Sequence, residues 1–211
     1  MNKTPFDKYP KDKINNALKG IPFFNDLSMR DSQQHQLLLQ HSSVIELSSG
    51  DVLIKKGESD HMLYFLLKGE LGIYIEESLG RKSTPIGRLS QGQVLGALTV
   101  ITGLPRTATV AVEKGASDVL VFATDVSIFG KQEDFSRVTL LTKLAIYRMA
   151  INNTRFKLET YKSRDPKNPL ADTYTKLPKF TGARDALEEL KFHADQAAEL
   201  AKILQKWNAL Q

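Results

Sequence analysis

Cysteine is absent from the 211 residues, which removes disulfide frameworks, thiolate metal sites and cysteine nucleophiles together and fits a reducing compartment. Long apolar runs are missing too. No window approaches the roughly 18 apolar residues of a membrane span, and the polar stretch Met1 to Pro10 lacks the apolar centre of a signal peptide. A cytoplasmic protein, neither exported nor membrane-inserted, is expected. The four histidines, His35, His41, His61 and His193, show no metal-ligand spacing, so no metal site is expected either. No P-loop, nucleophile elbow or kinase-like motif occurs, which leaves catalysis without an anchor and points away from an enzyme. The basic clusters Lys55-Lys56, Arg81-Lys82 and Lys162 to Arg164 interleave no aromatics, unlike the surface of a single-strand nucleic-acid binder.

What is present is the balance of an ordinary globular protein, with 41% hydrophobic and 25% charged residues and a net charge of +5. The length suits one domain with an appendage. Residues 1–42 read as a helical segment, in which Lys11 to Lys19 forms a helix broken at Gly20-Ile21-Pro22. Ser28 and Asp31 have the spacing of a capping box, which predicts a helix from 29 to about 41. From Val44 the pattern turns to short apolar runs separated by glycines, at 44–48, 51–55, 62–67, 70–76, 84–89, 93–95, 107–113 and 118–123. Such even spacing reads as a double-sheet roll or barrel over 43–130.

Residues 131–164 form one long helix on this reading. Phe135, Val138, Thr142, Ala145, Met149, Asn152 and Phe156 make a seam along 134–162, and Leu140, Leu144, Tyr147 and Ile151 a second stripe. One side is expected to pack on the roll and the other to meet a second copy in a homodimer. The prolines of 165–182 suggest a linker. In 183–211, Thr181 would cap a last helix from Ala183 to Leu210, whose alanine-rich stripe is expected to dock on the body or on a protein partner, with Trp207 as an anchor.

Two segments carry a resemblance. Leu53 to Glu58 followed by Met62 to Gly69 resembles the first signature of the cyclic-nucleotide-binding domain family, with Asp60 where a small residue is usual. Gly92 to Leu98 followed by Pro105 to Val110 resembles that family's phosphate-binding cassette, with the Gly96 to Arg106 spacing of protein kinase A regulatory subunits. The resemblance implies a mainly β fold: a jelly roll of about eight strands, N-terminal helices, a long C-terminal dimer-type helix and an extra tail helix. It also implies a non-catalytic sensor for cAMP or cGMP, without a cofactor. In such a cassette a glycine lets backbone approach the ligand, a short helix runs over about 97–102, and an arginine offers a permanent fork of donors to the cyclic phosphate. By resemblance the ligand-binding residues are Gly96, Ala97, Leu98, Arg106, Thr107 and Ala108. Thr107 is placed to hydrogen-bond the phosphate or a guanine edge. The long helix is similar to the dimer helix of the cAMP receptor protein family, which makes Asn152 and Asn153 the base-reading candidates.

Ala97 departs from the pattern, because the family places there a glutamate that accepts from the ribose hydroxyl. A hydrogen bond to a charged group contributes about 1.5–3 kcal/mol, so its loss predicts about ten- to a hundred-fold weaker binding of an ordinary cyclic nucleotide. That departure keeps a second reading open, a degenerate fold serving as an interaction module. A third, a transcription regulator, is disfavoured: residues 165–211 are proline-broken and then one helix with no basic recognition face, so DNA is not an expected partner.

Overall fold

A computed structural model describes residues 1–75 and 84–210. Gly80, the Arg81-Lys82 pair and the last residue of the run expected at 70–76 lie outside the described residues.

All eight apolar runs form strands, and a ninth precedes them. The strands are β1 (Asn2–Pro5), β2 (Ser42–Leu47), β3 (Val52–Ile54), β4 (Met62–Lys68), β5 (Leu71–Tyr74), β6 (Gly87–Leu89), β7 (Val94–Leu95), β8 (Thr109–Ala111) and β9 (Val119–Asp125). They pair antiparallel in two sheets, ordered β1-β2-β9-β4-β7 and β3-β8-β5-β6. Among the described residues no strand pairs across from one sheet to the other, so the alternative of a closed barrel is not realised. β1 was not expected, because Asn2, Lys3 and Thr4 carry no apolar alternation. It adds to the edge of β2 in the register Asn2 to Glu46, and its terminal Pro5 suits an edge, where a missing donor is harmless.

The central strands β4 and β9 are apolar on both faces because both faces are covered. Tyr64, Leu66, Val121 and Ala123 point to the layer between the sheets. Leu63, Phe65 and Phe122 point the other way, onto the N-terminal helices. Those helices are α1 (Lys11–Lys19), α2 (Pro22–Arg30) and α3 (Ser32–Gln40). Phe24 of α2 sits edge-on to Phe65 and Phe122, with ring centroids 4.9 and 5.2 Å away. Burying such a side chain contributes about 1.5–3 kcal/mol.

The single helix expected over 29–41 is two helices. Asp31, extended at φ −149°, ends α2 and caps α3 by accepting from Gln34 N at 3.0 Å. Ser28 caps nothing; its hydroxyl donates back to Asn25 O at 2.8 Å inside α2. The ionised side chain of Asp31 is the stronger acceptor, and it displaces the boundary by three residues.

The long helix starts later than its sequence suggests, as α5 (Leu140–Arg164). It follows the six-residue helix α4 (Ala97–Thr102), whose limits agree with the sequence. No proline or glycine marks the start of α5. Instead Thr139 caps it, and the buried Lys143 ammonium donates to the carbonyls of Lys131, Gln132 and Asp134, holding the preceding segment in turns. The seam is correspondingly broken: Val138 and Thr142 are buried, whereas Phe135, Asn152 and Phe156 face outward.

Residues 165–182 fold back on α5 through turns and a single 3₁₀ turn that buries Tyr174. The last helix is α6 (Leu187–Ala209), capped at Ala186 and not by Thr181. Its start is set by Glu189, whose carboxylate accepts from Asp185 N at 2.7 Å where Asp185 adopts φ +61°. The stripe of Leu190, Ala197, Ala201 and Leu204 is buried, and the small residues let α6 lie close against α5 and α4. Trp207 is an anchor, but within the chain: it is 1% exposed and its ring lies 5.8 Å from that of Tyr161.

Candidate functional site

The site is assembled where β7 ends. Gly96 takes φ +82°, and a side chain there would meet Met62 O at 2.9 Å and the Arg106 guanidinium closer still. Only glycine combines that backbone with that approach. α4 follows, a second left-handed glycine, Gly103, ends it, and Pro105 delivers the chain to Arg106. The Arg106 backbone is clamped on both sides, its N–H on Glu58 O at 2.8 Å and its carbonyl accepting from Gly57 N at 2.9 Å.

The Arg106 side chain is buried, at 3% exposure. Its Nη2 donates to Met62 O at 2.6 Å and to Asp60 Oδ1, while Nε donates to Asp60 Oδ2 at 3.3 Å. The guanidinium carbon stands 5.6 Å from the centre of the Tyr64 ring, close enough for a cation–π attraction. Burial, then the Asp60 charge, pushes the Tyr64 phenol up to about 12, so it stays neutral. The remaining nitrogen, Nη1, is buried beside Gly96 without a hydrogen-bond partner among the described residues.

Gly96, Ala97, Leu98, Arg106, Thr107, Ala108 and Asn153 line one cavity between the cassette turn and α5. Asn152 does not. It opens onto a groove beside Pro22, Phe23 and Arg148 that Asn153 also borders; successive helical residues point about 100° apart, and only Asn153 is turned far enough to reach the cassette cavity as well. Asn153 donates through Nδ2 to Met149 O at 2.9 Å.

Sequence reasoning missed the helical part of the wall beyond Asn153. Lys157 and Tyr161, one and two turns beyond Asn153 on α5, line the same cavity, and so do Leu204 and Asn208 of α6. Their spacings of four place each set on one helical face, a signal visible in the sequence once the facing element is known. Lys157 makes no hydrogen bond or ion pair among the described residues, and burial pushes its ammonium below the ordinary lysine value. The cavity wall therefore holds two cations, Arg106 and Lys157, against the one carboxylate of Asp60 behind Arg106.

Together these elements define two antiparallel sheets with a cationic pocket walled by the cassette turn, α5 and α6. Residues 44–131 match the family model of the cyclic nucleotide-binding domain, so this segment is a domain of that family, and α5 and α6 lie beyond the match. No curated protein matches the chain. Among solved structures it is similar to the regulatory domain of Toxoplasma gondii PKA crystallised with cAMP (17% identity, TM-score 0.44, 56% of this chain and 43% of that one). It is also similar to the regulatory subunit of a cAMP-independent protein kinase A from Trypanosoma brucei (23%, TM-score 0.42, 55% and 38%). A third is the corresponding subunit from Trypanosoma cruzi bound to guanosine (16%, TM-score 0.48, 74% and 52%). The chain spans about half or less of the length of each of these structures.

Proposed function

We propose that the protein is a non-catalytic sensor that binds a cyclic nucleotide, cAMP or cGMP, and passes its occupancy to a protein partner through the positions of α5 and α6. One observation carries this: a buried arginine with an unpaired Nη1 beside a left-handed glycine, at the edge of a cavity. A permanent cation with an unmet donor asks for an acceptor, and a phosphate oxygen supplies one with matching charge. Lys157, also unpaired, raises the cavity's attraction for anions. Strand passage between the sheets supports the jelly-roll winding, since β2, β4, β7 and β9 fall in one sheet and β3, β5, β6 and β8 in the other. Ala97 offers no acceptor to a ribose hydroxyl, so affinity rests on the arginine and on the two helices.

Calorimetric titration of the full chain with cAMP and with cGMP, beside Arg106→Ala, tests the reading. Binding of either nucleotide that weakens at least ten-fold in the variant is expected. No heat with either at millimolar concentration retires it.

Asp60 favours a second reading, an interaction module that no longer takes nucleotides, because its carboxylate already occupies two of the three guanidinium nitrogens. That reading expects a melting temperature indifferent to every cyclic nucleotide. Pairing of two copies through α5 would use the face of Leu141 and Phe156, 58% and 62% exposed, since α6 of the same chain covers the other side. A monomer by sedimentation at 100-fold the assay concentration removes that part of the proposal.

A further inference from the structure

A second cleft lies among the N-terminal helices. It is lined from α1, α2, α3 and the turn at Phe6, and it shares no lining residue with the cassette cavity. Its volume of about 320 Å³ falls at the small end of the roughly 300–1,000 Å³ usual for small-molecule sites. The floor is apolar and mostly aromatic. Phe6, Leu18, Phe24 and Leu39 line it, all buried, and the Phe24 ring is fixed edge-on against Phe65 and Phe122. His35 adds a third ring to the lining, with its centroid 6.2 Å from that of Phe24.

The rim carries charge of one sign. Lys11, Asn15 and Lys19 recur every four residues along α1, so their side chains fall along one side of the helix and border the cleft together. Both lysines are exposed, and neither forms an ion pair or a side-chain hydrogen bond among the described residues. No aspartate or glutamate lines the cleft among the described residues, so nothing in it offsets the two ammonium groups. The half-buried His35 imidazole is also without a hydrogen bond among the described residues. Burial lowers its pKa, which leaves a neutral ring with one donor and one acceptor nitrogen at pH 7.

An aromatic floor of small extent beneath two unpaired cations selects a flat apolar body that bears a negative charge. We propose that this cleft is a ligand site separate from the cassette cavity, taking an aromatic monocarboxylate with its ring against Phe6 and Phe24 and its carboxylate toward Lys11 and Lys19. An aliphatic acid forgoes the ring-to-ring contacts, and an aromatic amine meets like charge at the rim. The site stands on its own residues and does not depend on the nucleotide reading of the cassette.

The test is an NMR titration of the full chain with phenylacetate and indole-3-acetate, beside the amide and amine counterpart of each and beside octanoate. At least one aromatic acid is expected to move the His35 imidazole signals, assigned by their loss in His35→Gln. That acid should bind about five-fold or more tightly than its amide, its amine or octanoate. The double variant Lys11→Gln/Lys19→Gln changes only exposed side chains, so its melting temperature should match wild type while the acid falls to the affinity of the amide. Arg106→Ala should leave the acid within two-fold of wild type. No movement of His35 with either acid at millimolar concentration overturns the proposal, and so does an acid no tighter than its amide or unaffected by the double lysine variant. Octanoate binding as tightly as the aromatic acids overturns the aromatic assignment, and binding lost in Arg106→Ala places the acid in the cassette cavity and overturns the separate site.

Discussion

Arg148 on α5 and Glu189 on α6 form a forked ion pair: Nε donates to Glu189 Oε1 at 3.0 Å, and Nη2 to Oε1 at 2.8 Å and to Oε2 at 2.7 Å. The same guanidinium reaches Asp185 at 2.9 Å, and the Glu189 side chain is 5% exposed. The pair pins the start of α6, because the Glu189 carboxylate also accepts the Asp185 N–H ahead of the helix. Desolvation opposes ionisation of Glu189, but its hydrogen bonds prevail and hold its pKa below the ordinary value.

Removing one partner leaves the other charge buried and unmatched. Arg148→Ala is expected to cost about 2–4 kcal/mol, less than a fully enclosed pair because Arg148 itself is 35% exposed. Denaturant melts measure the loss, and adding Glu189→Gln to Arg148→Ala should recover at least half of it. A single variant as stable as wild type would show that the α6 start is held by packing alone.

Asp60 and Arg106 set a second prediction. In Asp60→Asn the buried guanidinium loses its counter-charge, so the free protein should melt lower, by about 1–3 kcal/mol given that the Asp60 side chain is 33% exposed. An anionic ligand restores the charge balance, so saturating cAMP or cGMP should raise the melting temperature of the variant by more than that of wild type. Equal ligand-induced shifts would mean that Asp60 does not compete with the ligand.

Burial lowers the pKa of His35, packed beside Phe24, and of His193, where desolvation outweighs the hydrogen bond to Glu189. Each imidazole is thus more easily protonated in the unfolded chain than in the fold. Above the unfolded value, near 6.5, both states are neutral and stability is full; as pH falls through 6.5 and then through the lower folded values, the unfolded state takes up protons first and stability is lost. Denaturant melts should therefore be weaker at pH 5.5 than at pH 7.5, and the difference should shrink in His35→Gln. A flat profile across that window would contradict the assignment.

The strands, the cassette turn and the short α4 were legible in the residues because their signals are local. Alternating or doubly apolar runs, glycines at turns and the Gly96 to Arg106 spacing each act within a few residues of where they are written. Helix starts were less legible. The start of the helix expected over 29–41 and the late start of α5 depended on Asp31 competing with Ser28, and on Lys143 finding three carbonyls, choices that only neighbouring backbone decides.

What the residue order determined by itself is a roll with a glycine and an arginine ten positions apart, since turn chemistry and hydrophobic period need no partner from afar. What only the tertiary structure decided is how Arg106 is used and what completes the cavity wall. Asp60 meets Arg106 across 46 positions, and Asn208 faces the same cavity from a helix 112 positions beyond Gly96. Such contacts follow from how α5 and α6 pack, through apolar area summed over many side chains, and no short motif encodes that sum.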